Sequence, residues 1–218
     1  MFTERGIVPF VIVFFFWWSL AVLFIKWRKL VFQKRALTLM VVPQSRDFEL
    51  NQDSARDILS RMYGLVDDPR HFVLLNRIER ALANLHNIGM IADVSAVLHA
   101  QARNDEDQME SSYGLVKGFV WAIPVLGFIG TVLGLSRAIG NFGTVISSSD
   151  GLETLRVSLQ AITSGLAVAF DTTLIALAGA LCVQLIMVAL KKKEEGFLDE
   201  CNDYCHANII SKLRLSDH

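Results

Sequence analysis

The sequence has no basic excess: 21 Lys and Arg stand against 22 Asp and Glu, a formal net charge of −1 over 218 residues. A nucleic-acid-binding domain shows its positive footprint in composition, so that class is excluded. Cysteine is scarce, three in all, too few for a disulfide scaffold. Cys201 and Cys205 precede His206, but the spacing C-x3-C-H has no evident fourth ligand and is not a zinc pattern. Helix packing is the simpler reading, and no metal is expected. Histidines occur at 71, 86, 99, 206 and 218, none beside a nucleophile arrangement. There is no glycine-rich phosphate loop, no paired-carboxylate motif and no Ser-His-Asp order. Neither an enzyme nor a cofactor is expected. Strand alternation, internal repeats and low-complexity tracts are absent as well.

What the chain has is apolar. Hydrophobic residues make up 52% and charged residues 20%, with a mean hydropathy of +0.40. Such a chain is neither disordered nor an ordinary soluble protein. The apolar residues fall in three blocks. The first, Ile7 to Ile25, has no charge over 19 residues, roughly 28 Å of helix, enough to cross a hydrocarbon core. A cleaved signal peptide is not expected there. The run is too long, its leading segment carries Glu4 beside Arg5, no small-x-small site follows, and Lys26, Arg28 and Lys29 read as a stop-transfer flank. The second block is Gly118 to Ile139, interrupted by Arg137. The third runs from Leu155 to Leu190, with Arg156 and Asp171 inside it. At ~54 Å it is longer than a bilayer needs and should project beyond it.

Positive charge sets the orientation. Lys26, Arg28, Lys29, Lys34 and Arg35 follow the first span, Lys117 precedes the second, and Lys191, Lys192 and Lys193 follow the third. The expected layout is an outer transmembrane helix at 1–25 with its N-terminus outside, a cytoplasmic helical region at 26–117, and a pore-lining span at 118–140. A periplasmic loop follows at 141–154, then a second pore-lining span at 155–190 and a cytoplasmic helical tail at 191–218. The expected class is an all-α membrane protein whose second and third spans continue into the cytoplasm.

Segment 26–116 holds twelve Lys/Arg and twelve Asp/Glu, so charge names no partner. Asn51 to Tyr63 reads as a helix capped by Asp53 or Ser54. Val73 to Leu85 and Ala92 to Gln108 carry apolar stripes at helical spacing. So does the tail, with Phe197, Leu198, Cys201, Cys205, Ile209 and Leu213.

The spans differ in bulk. Span one has Phe14, Phe15, Phe16, Trp17 and Trp18 in a row, as suits a lipid-facing helix. Span two has Gly127 and Thr131 four apart, and Gly130 and Gly134 four apart. Span three has Gly165, Ala169, Thr172, Ala176 and Gly179 on one stripe, overlapped by Ala169, Thr173, Ala176 and Ala180. Small residues at this spacing let helices approach closely in lipid. They fit packing within one chain. They also fit assembly around something central, since two small faces are more than one small chain is expected to satisfy. A membrane threonine often bonds back to the carbonyl four residues earlier. Asp171 is a carboxylate at membrane depth, which marks an ion or proton path unless a partner such as Arg137 or Arg156 neutralises it.

Two segments carry a family resemblance. P-V-L-G-F-I-G-T-V-L-G-L (Pro124 to Leu135) and G-L-A-V-A-F-D-T-T-L-I-A-L (Gly165 to Leu177) resemble the signature helices of the MotA/TolQ/ExbB proton channel family. Three spans with one large cytoplasmic loop resemble its TolQ/ExbB branch. F-D-T-T resembles the branch of the Zorya anti-phage subunit ZorA, whose long cytoplasmic tail does not follow here, as in a truncated or tail-less relative. The resemblance implies a subunit in the bacterial inner membrane, five copies of which surround a dimer of a single-span, Asp-bearing partner like ExbD, TolR or MotB. Protons, or sodium ions in some members, would drive rotation. It places the pore-facing threonines on Thr131 and Thr173 and the flagellar-branch proline on Pro124, and the expected ion pathway takes in Thr131, Thr173 and Thr172. Pore-helix packing is expected of Pro124, Gly127, Gly130, Gly134, Ala169 and Ala176. The acidic residue that TolQ/ExbB members carry five positions before the span-three threonine falls on Val168 and is missing. Protons are favoured over sodium. The competing expectation is an oligomeric membrane scaffold that conducts nothing.

Overall fold

The computed structural model describes residues 7–39, 41–43, 48–66, 68–83, 91–147 and 152–213. Among them the chain forms six α-helices: α1 (Val8–Lys34), α2 (Gln52–Leu65), α3 (Val73–Ala83), α4 (Ile91–Ser112), α5 (Gly114–Ser147) and α6 (Leu152–Asn208). The all-α expectation holds. Three helical stretches are long and apolar enough to cross a membrane, Val8–Thr38, Asp93–Arg137 and Ile162–Lys212. The chain divides into two compact units, one of residues 1–25 and 114–189, the other of 26–113 and 190–218.

The first unit packs the beginning of α1 against α5 and α6. Its centre is Ile12, Ile123, Ala176 and Ala180, with Val8, Phe15, Phe16 and Leu126 closing around it. Phe15 stacks on Phe119 with ring centroids 4.9 Å apart. The aromatic run on α1 is therefore not uniformly outward: Phe15 and Phe16 turn in, while Phe14, Trp17 and Trp18 turn out. Large apolar side chains cover the outside, among them Trp121 at 72% and Leu174 at 67% exposure. In water such a surface would be untenable, whereas lipid or another membrane helix covers it without cost.

Pro124 lies inside α5. It has no N–H to offer the Val120 carbonyl, a loss that neighbouring helices make tolerable in membrane segments. The segment 141–154, expected to lie in the periplasm, is helical at both ends. Helix α5 continues to Ser147 and α6 begins at Leu152, and 148–151 lie outside the described residues. No proline interrupts either end, and the apolar Phe142 and Val145 extend the pattern of span two.

The second unit is a helical domain with its own core. Helix α2 starts at a reciprocal cap: the Asn51 side chain accepts from the Ser54 N–H at 2.9 Å, and the Asn51 N–H donates to Ser54 Oγ at 2.8 Å. The cap is thus Asn51, not Asp53 or Ser54. Two backbone N–H groups are satisfied at once this way, a gain of about 1 kcal/mol over alanine. Helix α3 buries Leu74, Leu75, Ile78, Ala81 and Leu82 on one face; the last two positions of the expected helix, Asn84 and Leu85, lie outside the described residues. Helix α4 runs on to Ser112, past the expected Gln108. The tail stripe behaves as its spacing predicts: Phe197, Leu198, Cys201, Cys205, Ile209 and Leu213 are all buried. Past the helix, the Leu50 N–H donates to the Lys212 carbonyl at 2.8 Å in an isolated bridge.

Candidate functional site

The three small-residue contacts between α5 and α6 fix the geometry of the membrane unit. A Cβ built on Gly127 would stand 2.7 Å from the Ala176 Cβ. One on Gly134 would stand 3.0 Å from the Ala169 Cβ, and one on Gly130 would stand 3.3 Å from Val8 Cγ1 and 3.4 Å from Thr172 Cγ2. The two small faces of the sequence therefore meet each other within one chain, with Val8 of α1 closing on Gly130. That corrects the expectation that one small chain is unable to satisfy both. Glycine is needed at 127 because the neighbouring helix leaves no room for a methyl group.

Close approach brings polar atoms together. The Thr173 hydroxyl donates to the Gly127 carbonyl across the helix pair at 2.9 Å, and its oxygen lies 3.4 Å from Thr131 Oγ1. The Thr131 hydroxyl donates to its own helix, to the Phe128 carbonyl at 2.7 Å. Each hydroxyl has one proton and each proton is committed to a backbone carbonyl, so what the two oxygens offer outward is lone pairs. Two hydroxyl oxygens and a carbonyl oxygen thus converge on a half-buried seam between two membrane helices. Such a set favours a cation or a water that carries one.

Thr172 behaves differently. It is buried, its methyl group faces Gly130, and its hydroxyl donates back to the Val168 carbonyl at 2.9 Å. Its place is in the packing, one position off the seam. Asp171 sits on the far face of α6, roughly 200° around the helix from Thr173, and is exposed. Arg137 and Arg156 are exposed too. Among the described residues, none of the three side chains takes a hydrogen bond or an ion pair. Neutralisation of Asp171 inside the chain, one of the two sequence expectations, does not occur there. At membrane depth an unneutralised carboxylate facing lipid costs about 2.5–3.5 kcal/mol.

Two polar constellations in the second unit escaped the sequence reading. Lys26 Nζ donates to Ser112 Oγ at 2.6 Å and to Glu194 at 3.4 Å, and lies 3.9 Å over the Tyr113 ring. Burial pulls the Lys26 pKa down, opposed by Glu194. This ammonium ties α1 and α6 to the turn between α4 and α5. Deeper in, Arg77 Nε donates to Asp105 at 2.6 Å while Gln101 donates to the other Asp105 oxygen at 2.9 Å and accepts from Arg80 at 2.8 Å. Arg77 is 1% exposed. The partners in these sets are up to 168 residues apart in sequence, so spacing held no signal for them. The Gly127 carbonyl escaped because Gly127 was legible only as a packing residue.

Comparison with known proteins follows this geometry. Residues 72–202 match the family described as the MotA/TolQ/ExbB proton channel family. The match covers more than half of the chain and includes Thr131, Asp171 and Thr173. No curated protein matches the sequence.

Proposed function

The chain belongs to the MotA/TolQ/ExbB proton channel family, a multi-pass membrane protein with an ion-channel role in an energiser complex, and from that premise we propose that it is the pore-forming subunit of a rotary, ion-driven machine. In this reading several copies, five in the family layout, surround a dimer of a single-span partner whose helix carries an ionisable aspartate. The assembly sits in the bacterial inner membrane. The N-terminus is outside, and the second unit lies in the cytoplasm.

The observation that carries the proposal is the seam of Thr131, Thr173 and the Gly127 carbonyl. Donor protons there are spent on the backbone, so the exposed lone pairs accept from a passing hydronium or water, or coordinate a bare cation. A partner carboxylate opposite the seam would be alternately protonated and released. Its pKa needs only to be brought near the working pH, which burial in an apolar pore does. That requirement favours protons over sodium. Thr172 and the glycines set the spacing of the two helices and take no part in transfer.

The test is reconstitution of the chain with its single-span partner in vesicles. Flux is followed under a pH gradient alone and under a sodium gradient alone, and the chains per particle are counted. Proton flux that needs both proteins and falls in Thr173→Val is the expected result. A stable particle that passes neither ion under either gradient would make the protein a scaffold and overturn the proposal.

A further inference from the structure

Helix α6 has two faces in the membrane unit, and among the described residues only one packs against α5. Ala169, Thr173 and Ala176 are used against α5. The opposite face carries Asp171, Leu174, Ile175, Leu181 and Leu185, all exposed. We propose that this face docks a second copy of the chain, and that Asp171 of one copy forms an ion pair with Arg137 of the next. The inference rests on the reading that several copies assemble around an axis normal to the membrane.

Charge complementarity argues for it. A carboxylate on an otherwise apolar membrane face requires a counter-charge, and its own helix pair provides none, because Asp171 points away from α5. Between Gly118 and Leu190 the sequence offers two cations, Arg137 and Arg156. Depth chooses between them. The contacts of Gly127 with Ala176, Gly130 with Thr172 and Gly134 with Ala169 are antiparallel and in register, so each residue further along α5 is level with one residue earlier on α6. Asp171 is therefore level with Val132. Arg137 lies five residues beyond that level, ~7.5 Å along the axis, whereas Arg156 lies fifteen residues along α6, ~22 Å away. Copies related by rotation about the membrane normal keep their depths, so the same offsets hold between chains. An arginine side chain reaches across the first offset and not the second. The guanidinium then meets the carboxylate with a planar fork of donors, the pairing least costly to bury. Joining the outer face of α6 to α5 of a neighbour is a head-to-tail contact, the kind that closes into a ring.

The test is charge exchange in the full chain extracted with its native lipids, with copies per particle counted by native mass spectrometry. Asp171→Arg and Arg137→Asp should each lower the assembled fraction by more than about tenfold. The double exchange should restore it to within about threefold of the original, and Arg156→Asp should leave it unchanged. A second measurement does not depend on charge: in a Cys182→Ser background, differently tagged copies carrying Asp171→Cys and Arg137→Cys are co-expressed and treated with a short flexible bis-maleimide, because the ~7.5 Å axial offset exceeds what a disulfide bridges. A mixed cross-linked dimer supports the pair. An assembled ring that gives no cross-link, or in which the double exchange restores nothing, overturns the pair and leaves the channel reading standing. A wild-type chain that is itself monomeric removes the multi-copy reading on which the pair rests.

Discussion

Gly127 and Ala176 approach so closely that a Cβ on the glycine would stand 2.7 Å from the alanine Cβ and 3.3 Å from the Thr173 Cα. The tolerance of this helix pair is therefore less than one methyl group. The same approach delivers the Gly127 carbonyl to the Thr173 hydroxyl at 2.9 Å. Packing and the polar seam are one feature of the structure.

Gly127→Ala should accordingly push α5 and α6 apart and cost about 1–3 kcal/mol, the usual penalty of overpacking. Gly118→Ala is the control. Nothing lies within 4 Å of a Cβ there, so the substitution should be neutral or gain up to about 1 kcal/mol from helix propensity. Thermal unfolding of the purified protein in detergent reads both. The double variant Gly127→Ala with Ala176→Gly should recover most of the loss, because the methyl group has only changed helices.

Thr173→Val keeps the shape of the side chain and removes the hydroxyl. The Gly127 carbonyl loses its inter-helix donor, worth about 0.5–1.5 kcal/mol. The complex should still assemble, while flux drops by roughly tenfold if that energy is expressed in the barrier. Thr173→Ser should retain most of the flux. Thr131→Val should cost less, since that hydroxyl donates only within its own helix and its contact with Thr173 across the pair is long, 3.4 Å. Flux in vesicles, normalised to assembled complex, decides. Equal losses in the valine and serine variants would count against the hydroxyl.

Arg77→Met tests the buried network of the second unit. Removing the guanidinium leaves Asp105 and Gln101 in the core with a charge no longer compensated, which costs about 3–5 kcal/mol. Arg77→Met combined with Asp105→Leu removes both charges and should be markedly more stable than the single variant. Denaturant unfolding followed by far-UV circular dichroism measures the difference between the two.

Burial pushes the Cys201 thiol up to about 12 and Cys205 to about 11, from an ordinary 9.0. In the unfolded chain both ionise near 9, so above that pH the unfolded state holds fewer protons than the folded one. Stability from these groups is complete below pH 9 and declines as pH rises from 9 towards 11 and 12, by up to about 1.4 kcal/mol per pH unit for each thiol. Unfolding midpoints across pH 8 to 11 should fall, and Cys201→Ala with Cys205→Ala should flatten that slope. At pH 8 both thiols should resist iodoacetamide until the protein is denatured.

The sequence by itself determined the number of membrane helices, the all-α class and the family. These rest on local quantities: length without charge, the spacing of apolar residues every three or four positions, and two contiguous motifs around Thr131 and Thr173. The stripe from Phe197 to Leu213 was legible for the same reason, since a helix carries its periodicity wherever it packs. Tertiary structure decided what meets what. Spacing identified the small faces of spans two and three but left open whether they served one chain or several. Only the antiparallel register, Gly127 on Ala176 and Gly134 on Ala169, shows that they are spent on each other. That Asp171 lies roughly 200° from Thr173 follows from helix geometry alone, but the same register made a carbonyl part of the threonine seam. It also left Thr172, adjacent in sequence to Thr173, in the packing, because one residue is 100° of helix. Lys26 with Glu194 and Arg77 with Asp105 were invisible beforehand, because an ion pair between distant segments leaves no periodicity in either of them.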